Sequence, residues 1–243
     1  MKTYELVKGL EQNYENYTEE DFLVWKILFE RQMEQLECLA DQTFMQGIKD
    51  IGFNESEIPN FDKVNNRLKS LTGWQIVVVP GIIDQHNFFR MLANKQFPSS
   101  TWLRKLDQLD YLSEPDMFHD AFGHMPLLTN KTFCEFYKKL GEIGVTNIHN
   151  DEIVEKLGRL YWFTVEFGII KSAKDLKIYG AGILSSIGET KYCLTDVPSR
   201  RPFNLMEVLN TDFDNTKIQN LYFVIDDYEQ LISSLNKIDW SSF

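Results

Sequence analysis

The segment YWFTVEFGII, residues 161–170, is apolar on every side except at Thr164 and Glu166. Read as a helix, it has no face to turn to water, so the rest of the chain must close around it. Its one carboxylate then lies where an unpaired charge costs several kcal/mol. The residues three and four positions away are Trp162, Phe163, Ile169 and Ile170, none of them cationic. The partner of Glu166 therefore comes from elsewhere: a distant arginine, a backbone group meeting a protonated carboxyl, or a metal ion. A chain of 243 residues with 18 Phe, 10 Tyr and 5 Trp is long and aromatic enough to supply the core this requires.

Apolar periodicity along the chain is mostly helical. Thr18 is placed to cap a long helical region, with acids in its first turn. Phe22, Trp25, Phe29, Met33 and Leu36 then recur every three or four residues, which marks one helix face. NFDKVNNRLKSL, ended by Gly73, predicts another helix, as do DQHNFFRMLANKQ, PDMFHDAFGH, KTFCEFYKKLGEIG, DEIVEKLGRLYWFTVEFGIIK and the C-terminal DDYEQLISSLNKI. WQIVVV, stopped by Pro80, and LYFVI are rich in β-branched and aromatic residues and predict strands. IYGAGILSS and EVLNTDF read as turns or short extended pieces. No repeat or linker divides the chain. The expected fold is mainly α with a minor β-sheet, in a single domain.

Charge and cysteine usage narrow the function classes. The net charge of -11 argues against nucleic acid or an anionic membrane as the main partner, since both require a cationic face. The longest apolar run, WQIVVVPGII, is broken by Pro80 and Gly81 and is too short to span a bilayer. MKTYELVKGLEQNYENYTEED at the start has no apolar core of a signal peptide. Cys38, Cys134 and Cys193 are odd in number, far apart and form no C-x-x-C pair, which predicts reduced thiols in a cytoplasmic protein.

The stretch EPDMFHDAFGH, from Glu114, holds two of the four histidines, His119 and His124. They are five residues apart, so a regular helix would point them about 140° away from each other, at about 100° per residue. The spacing also departs from the i, i+4 pair of the H-E-x-x-H zinc motif. Gly123 and Pro126 predict that the helix stops here, with His119 on its last turn and His124 swinging back from a frayed end. Two imidazoles at a helix C-terminus also have a plain electrostatic explanation in the macrodipole. Glu166 adds the third donor: two neutral imidazoles and one carboxylate suit non-haem Fe(II) with open positions on one face, and equally a catalytic zinc. His86 and His149, in polar surroundings, read as surface residues.

EPDMFHDAFGHMPLL, YWFTVEFG and IYGAGILSSIGE together resemble the pterin-dependent aromatic amino acid hydroxylases. LTGWQIVVVPGII, FFRMLANKQFP and TWLRKLDQLDYL narrow the resemblance to the bacterial, phenylalanine-hydroxylating branch. It runs from about residue 25 to residue 223, with every motif in order. The resemblance implies one catalytic domain over residues 1–243, a basket of helices around a mononuclear iron. It implies Fe(II) as cofactor, and L-phenylalanine, O2 and a tetrahydropterin (tetrahydrobiopterin or a related pterin) as reactants. The regulatory and tetramerisation segments of the animal enzymes have no counterpart here, so a monomer is the implied state.

By position, His119, His124 and Glu166 match the family's iron ligands. Arg104 matches the arginine that pairs with the amino acid carboxylate, a role suited to its fork of donors. Pro115 and Trp162 match the walls around the substrate ring, and Gly182 and Ser185 the turn beside its carboxylate. Trp162 lies four residues before Glu166, so both are expected on one helix face. For the pterin, Gly81, Ile82 and Ile83 match a backbone segment, Phe88 a stacking ring, and Tyr161 a tyrosine near the metal. Asp120 matches an acid that faces the pterin through water; animal members carry glutamate there. Tryptophan or tyrosine as substrate within the same family is one alternative. A zinc hydrolase using the same ligands, with Asp120 as base, is another. A purely structural metal would call for four protein ligands, and no fourth stands out.

Overall fold

The computed structural model describes residues 4–240 apart from Leu6, Lys8, Tyr111 and Ser113. Met1, Lys2 and Thr3 of the N-terminal stretch and Tyr111 of TWLRKLDQLDYL therefore lie outside the described residues. The helices are α1 (Glu19–Leu39), α2 (Gln42–Ile51), α3 (Phe61–Leu71), α4 (Gln85–Ala93), α5 (Lys131–Thr146), α6 (Asp151–Tyr161), α7 (Ala181–Leu184), α8 (Ile187–Tyr192), α9 (Leu205–Leu209) and α10 (Tyr228–Asn236). The strands are β1 (Gln75–Val78), β2 (Gln96–Ser99), β3 (Ile169–Lys171), β4 (Leu176–Ile178), β5 (Ser199–Pro202) and β6 (Leu221–Ile225). β1 and β2 pair in parallel, Gln75 opposite Gln96. The other four form a mixed sheet in the order β4-β3-β6-β5.

Most helices begin where the capping residues placed them. Thr18 and Asp21 exchange the reciprocal bonds of a capping box at α1, and Asn60, Asp84, Asn130, Asn150 and Asp227 each cap the helix that follows. Behind the site, Trp25 of α1 packs edge-on against Phe118, and Phe118 stacks on Phe122 at 4.8 Å. Phe29 and Phe44 close on Phe122 from α1 and α2. This aromatic block is fully or almost fully buried and gives the histidine segment a rigid back wall.

Several expected elements differ. The helical region after Thr18 is two helices, because the Asp41 side chain caps α2 while its N–H donates to Ile178 O at the sheet edge. The long helix through residue 171 ends earlier, and residues 169–171 are β3. Gly168 explains the break: a Cβ there would lie 2.1 Å from the Tyr179 ring and 2.2 Å from Thr164 O, and the β-branched pair beyond it joins β4 and β6. IYGAGILSS contains the end of β4 and the short helix α7, and EVL of EVLNTDF lies in α9, capped by Asn204.

The largest difference is at the histidines. The helical path does not fray at Gly123. Residues His119–His124 form a π-helical turn, followed by a 3-10 turn, Met125–Thr129, that accommodates Pro126. Gly123 serves close packing, not termination: a Cβ there would meet Ala181 O at 2.9 Å. A π turn closes its hydrogen bonds over five residues, so residues five apart return to nearly the same side.

α4 and α5 approach closely through glycines, which positions Phe88 on the first and Tyr137 on the second. A Cβ at Gly141 would lie 2.3 Å from Ala93 N and 2.7 Å from Phe89 O. Backbone at that range cannot yield as a side chain can. Gly141→Ala should destabilise the protein by about 2–3 kcal/mol, a drop in Tm of roughly 5–10 °C for a chain of this size, read by thermal circular dichroism.

Candidate active site

Two π turns carry the three convergent side chains. The first presents His119 and His124; the second, Trp162–Glu166, continues α6 and ends where Phe167 N–H donates to Trp162 O five residues back. Trp162 and Glu166 are thus brought to the site by a widened turn, not by the regular i, i+4 face expected from their spacing. His119 Nε2 lies 3.2 Å from His124 Nε2 and 3.6 Å from Glu166 Oε2, and His124 Nε2 lies 3.2 Å from Glu166 Oε1. Two ligand atoms about 2.1 Å from one ion and at a right angle lie about 3.0 Å apart, so these separations are near the edges of one face of a coordination shell. Among the described residues, this is the group of three His, Cys, Asp or Glu side chains whose donor atoms converge, all within 4.8 Å. The donor set fits a divalent iron.

The surroundings hold the donors in ligand form. Burial pushes the His119 pKa down to about 4, against the pull of Glu166, so the ring is neutral. Burial pushes the Glu166 carboxyl up, but His124 and His119 outweigh it and hold it at about 2, helped by a hydrogen bond from Tyr161. Ser185 Oγ donates to Ala181 O at 2.8 Å and lies 2.8 Å from His119 Nδ1. Having spent its one proton on the carbonyl, Ser185 must accept from His119 Nδ1–H, which leaves Nε2 bare toward the centre. His124 Nδ1 meets the buried Tyr137 hydroxyl at 3.1 Å. Ser185→Ala should keep the fold and weaken iron binding by about 10–100-fold, the usual cost of losing a residue that orients a ligand; titration of the metal-free protein with Fe(II) reads this directly.

The triad lies in the partition between two cavities. The first, of about 460 Å³, is lined by Arg104, Pro115, Trp162, Gly182 and Ser185 as well as His119 and Glu166. The second, of about 350 Å³, is lined by Gly81, Ile82, Ile83, Phe88, Asp120 and Tyr161, with His119, His124 and Glu166, and it shares Pro115 and Trp162 with the first. Both are of a size that suits a small organic ligand. His86 and His149 are exposed and line neither cavity.

In the first cavity, Arg104 is almost buried, and its Nε and Nη2 meet Asp116 Oδ2 and Oδ1, each at 2.9 Å. Asp116 also accepts from Arg104 N and His119 N, so one fully buried carboxylate orients both the arginine and the start of the histidine turn. In the second, Phe88 packs edge-on against Tyr161 at 5.2 Å, and Ile82 O accepts from Tyr4 N–H at 2.6 Å. Asp120 Oδ2 accepts from Ser100 N and Oγ. Burial outweighs those bonds and pushes its pKa up to about 7.

Three of these supporting residues escaped the sequence reading. Asp116 carried a usable signal, a capping acid three residues before His119. Tyr137 and Ser100 carried none, since each meets the site only through tertiary packing.

Residues 3–240 match the model of the biopterin-dependent aromatic amino acid hydroxylase family, and the chain belongs to that family. It is 44% identical over 226 residues to the phenylalanine-4-hydroxylase of Chromobacterium violaceum, covering 93% of this chain and 76% of that protein. It is 43% identical to that of Ralstonia nicotianae, covering 93% and 72%. The crystal structure of the Chromobacterium violaceum phenylalanine hydroxylase bound to cobalt superposes with a TM-score of 0.93 at 43% identity, over 96% of this chain and 84% of that one. A second structure of that enzyme, holding iron(III) and the oxidised cofactor 7,8-dihydrobiopterin, matches at 0.90 and 43% identity, over 94% and 83%. The mainly helical fold with a minor sheet is that of the family, and membership sets aside the hydrolytic reading of the same ligand set. No helix among the described residues is long and apolar enough to cross a membrane.

Proposed function

We propose that this protein hydroxylates L-phenylalanine to L-tyrosine with O2 and a tetrahydropterin at an Fe(II) held by His119, His124 and Glu166. The observation that carries the reading is the position of the triad between two cavities of different chemistry. One offers a buried guanidinium for an amino acid carboxylate; the other offers aromatic rings and backbone, and the Trp162 indole stands at the boundary, lining both. Bound iron and pterin supply the activation of O2 and the two electrons that let one oxygen atom enter the ring at its para position.

The protein's own part is placement and exclusion of water. Arg104, preset by Asp116, takes the substrate carboxylate, with Gly182 and Ser185 lining the same end. Pro115 and Trp162 wall the ring, so its far edge faces the metal position. Gly81, Ile82 and Ile83 give the pterin a backbone edge, Phe88 a stacking face, and Asp120 and Tyr161 the polar groups nearest the metal. Phenylalanine is favoured over tryptophan and tyrosine by the bacterial relatives at 43–44% identity. The protein acts as a monomer in the cytoplasm, a reducing setting that suits the free thiols of Cys38, Cys134 and Cys193.

The test is tyrosine formation from phenylalanine with added Fe(II), tetrahydropterin and air, beside a chelated control. Tyrosine that requires both additions is the expected result. Product from tryptophan alone, or turnover without pterin, overturns the reading.

A further inference from the structure

The indole of Trp162 is held from two directions, only one of which is packing. Its face stacks on Phe213, with centroids 4.3 Å apart and planes 14° from parallel, and it leans on Phe167 at 4.6 Å. Stacking fixes the plane of a ring but leaves it free to slide and rotate within that plane. The second restraint is a hydrogen bond of 3.0 Å from Trp162 Nε1 to Gln219 Oε1.

Gln219 is itself almost buried, and its polar groups are committed. Nε2 donates to Asp214 O at 3.0 Å and Lys217 O at 2.8 Å. Two carbonyl acceptors dictate that the amino end of the amide faces the turn, so the oxygen end must face the indole. The backbone N–H of Gln219 donates to Glu189 Oε1 at 3.0 Å, and Glu189 Oε2 accepts from Tyr222 O–H at 2.5 Å. The backbone at Gln219 is thereby anchored to α8 and, through Glu189, to β6. The turn it gathers in contributes Asn215 to both cavities and Lys217 and Ile218 to the first.

We propose that Gln219 is a positioning residue for substrate hydroxylation. It fixes the in-plane orientation of the Trp162 indole, and with it the position of the substrate ring relative to the oxidising centre. The inference rests on the function proposed above, in which Trp162 walls the ring. A ring displaced by a fraction of an ångström still leaves the pterin free to react, so the characteristic failure is pterin oxidised without tyrosine formed.

The test is a double-mutant cycle. Gln219→Leu and Gln219→Glu are made in the wild-type and Trp162→Phe backgrounds, and each holoenzyme is assayed for KM of phenylalanine, KM of pterin and tyrosine formed per pterin consumed. Gln219→Leu should raise the phenylalanine KM about tenfold, because the wall against the substrate ring is no longer held in place, lower the tyrosine yield per pterin, and leave the pterin KM within about twofold. In Trp162→Phe, which lacks the donor, the same change should have less than about a twofold effect. Gln219→Glu, with its carboxyl kept protonated by burial against the Asp214 and Lys217 carbonyls, keeps an acceptor for the indole and one donor for that turn, and should stay within about threefold of wild type. Equal effects of Gln219→Leu in both backgrounds, or Gln219→Glu as damaging as Gln219→Leu, overturn the proposal. The metal-free proteins give an independent readout. The near-ultraviolet circular dichroism owed to Trp162, obtained by difference from Trp162→Phe, should change in shape or intensity in Gln219→Leu and be kept in Gln219→Glu; an unchanged signal in the leucine variant also overturns the role. Should Gln219→Leu not fold, Gln219→Glu decides alone, by retaining or losing both the low KM and the dichroism. Wild-type turnover separates the two levels. No tyrosine from the wild type sinks the functional reading, whereas turnover with an additive cycle sinks only the role of Gln219.

Discussion

Glu166→Ala is expected to give a folded protein that retains no iron. The carboxylate is one of three donors, and the two that remain are imidazoles carried on one turn. Removing a residue that merely orients a ligand costs about 10–100-fold in metal affinity; removing the one anionic donor must cost more, because it also deletes the charge that offsets the ion's own. The fold should survive. Glu166 lines both cavities and does not pack inside the apolar core, so its truncation enlarges space that is already open and removes no core contact. Metal analysis after dialysis against Fe(II), alongside far-ultraviolet circular dichroism, reads both halves. Stoichiometric iron in the folded variant would remove Glu166 from the ligand set. Ser185→Ala belongs beside it as an intermediate: weakened but measurable binding there, and none in Glu166→Ala, is the order that a ligand and its ligand's support should show.

The three donors could be found in the sequence because each violates a local rule. Glu166 stands alone in an apolar segment, and His119 and His124 crowd one helix end. What could not be found is how they meet. Apolar periodicity reports which residues face inward but is nearly blind to the phase of the backbone hydrogen bonds. A regular helix puts His119 and His124 on different faces, and the expected remedy was a frayed terminus after Gly123. The protein instead widens the helix into a π turn and keeps it packed on Phe118 and Phe122. The same device recurs at Trp162–Glu166, so both ligand-bearing segments depart from the α geometry that sequence spacing assumes. β3 was missed for a related reason: Ile169 and Ile170 extend an apolar run, and only the crowding around Gly168 shows that the run changes from helix to strand. Asp116 and Gln219 act through partners 12 and 57 residues away. No short-range pattern carries such pairings.

Arg104→Ala is expected to raise the KM for phenylalanine about 100-fold, the roughly 2–5 kcal/mol lost when one partner of a buried, hydrogen-bonded charge pair is truncated, with the pterin KM within about threefold. The asymmetry follows from the cavities, because Arg104 lines the one beside Gly182 and Ser185 but not the one beside Phe88 and Tyr161. The variant also carries a second cost. Asp116 has no exposed surface and loses both of its 2.9 Å partners on the guanidinium. An unpaired buried carboxylate should lower stability by about 3–5 kcal/mol, so a weakened fold could be mistaken for a lost substrate contact. Arg104→Ala combined with Asp116→Asn separates the two. The neutral amide removes the stranded charge and should restore much of the stability, while the phenylalanine KM stays high because no guanidinium remains to meet the substrate carboxylate. A KM that recovers together with the melting temperature would mean that Arg104 acts only by bracing Asp116 and the start of the histidine turn. Equal increases in the two KM values would mean that it shapes the partition between the cavities. Only a persistent, phenylalanine-selective defect in the stabilised double variant assigns Arg104 to the substrate carboxylate.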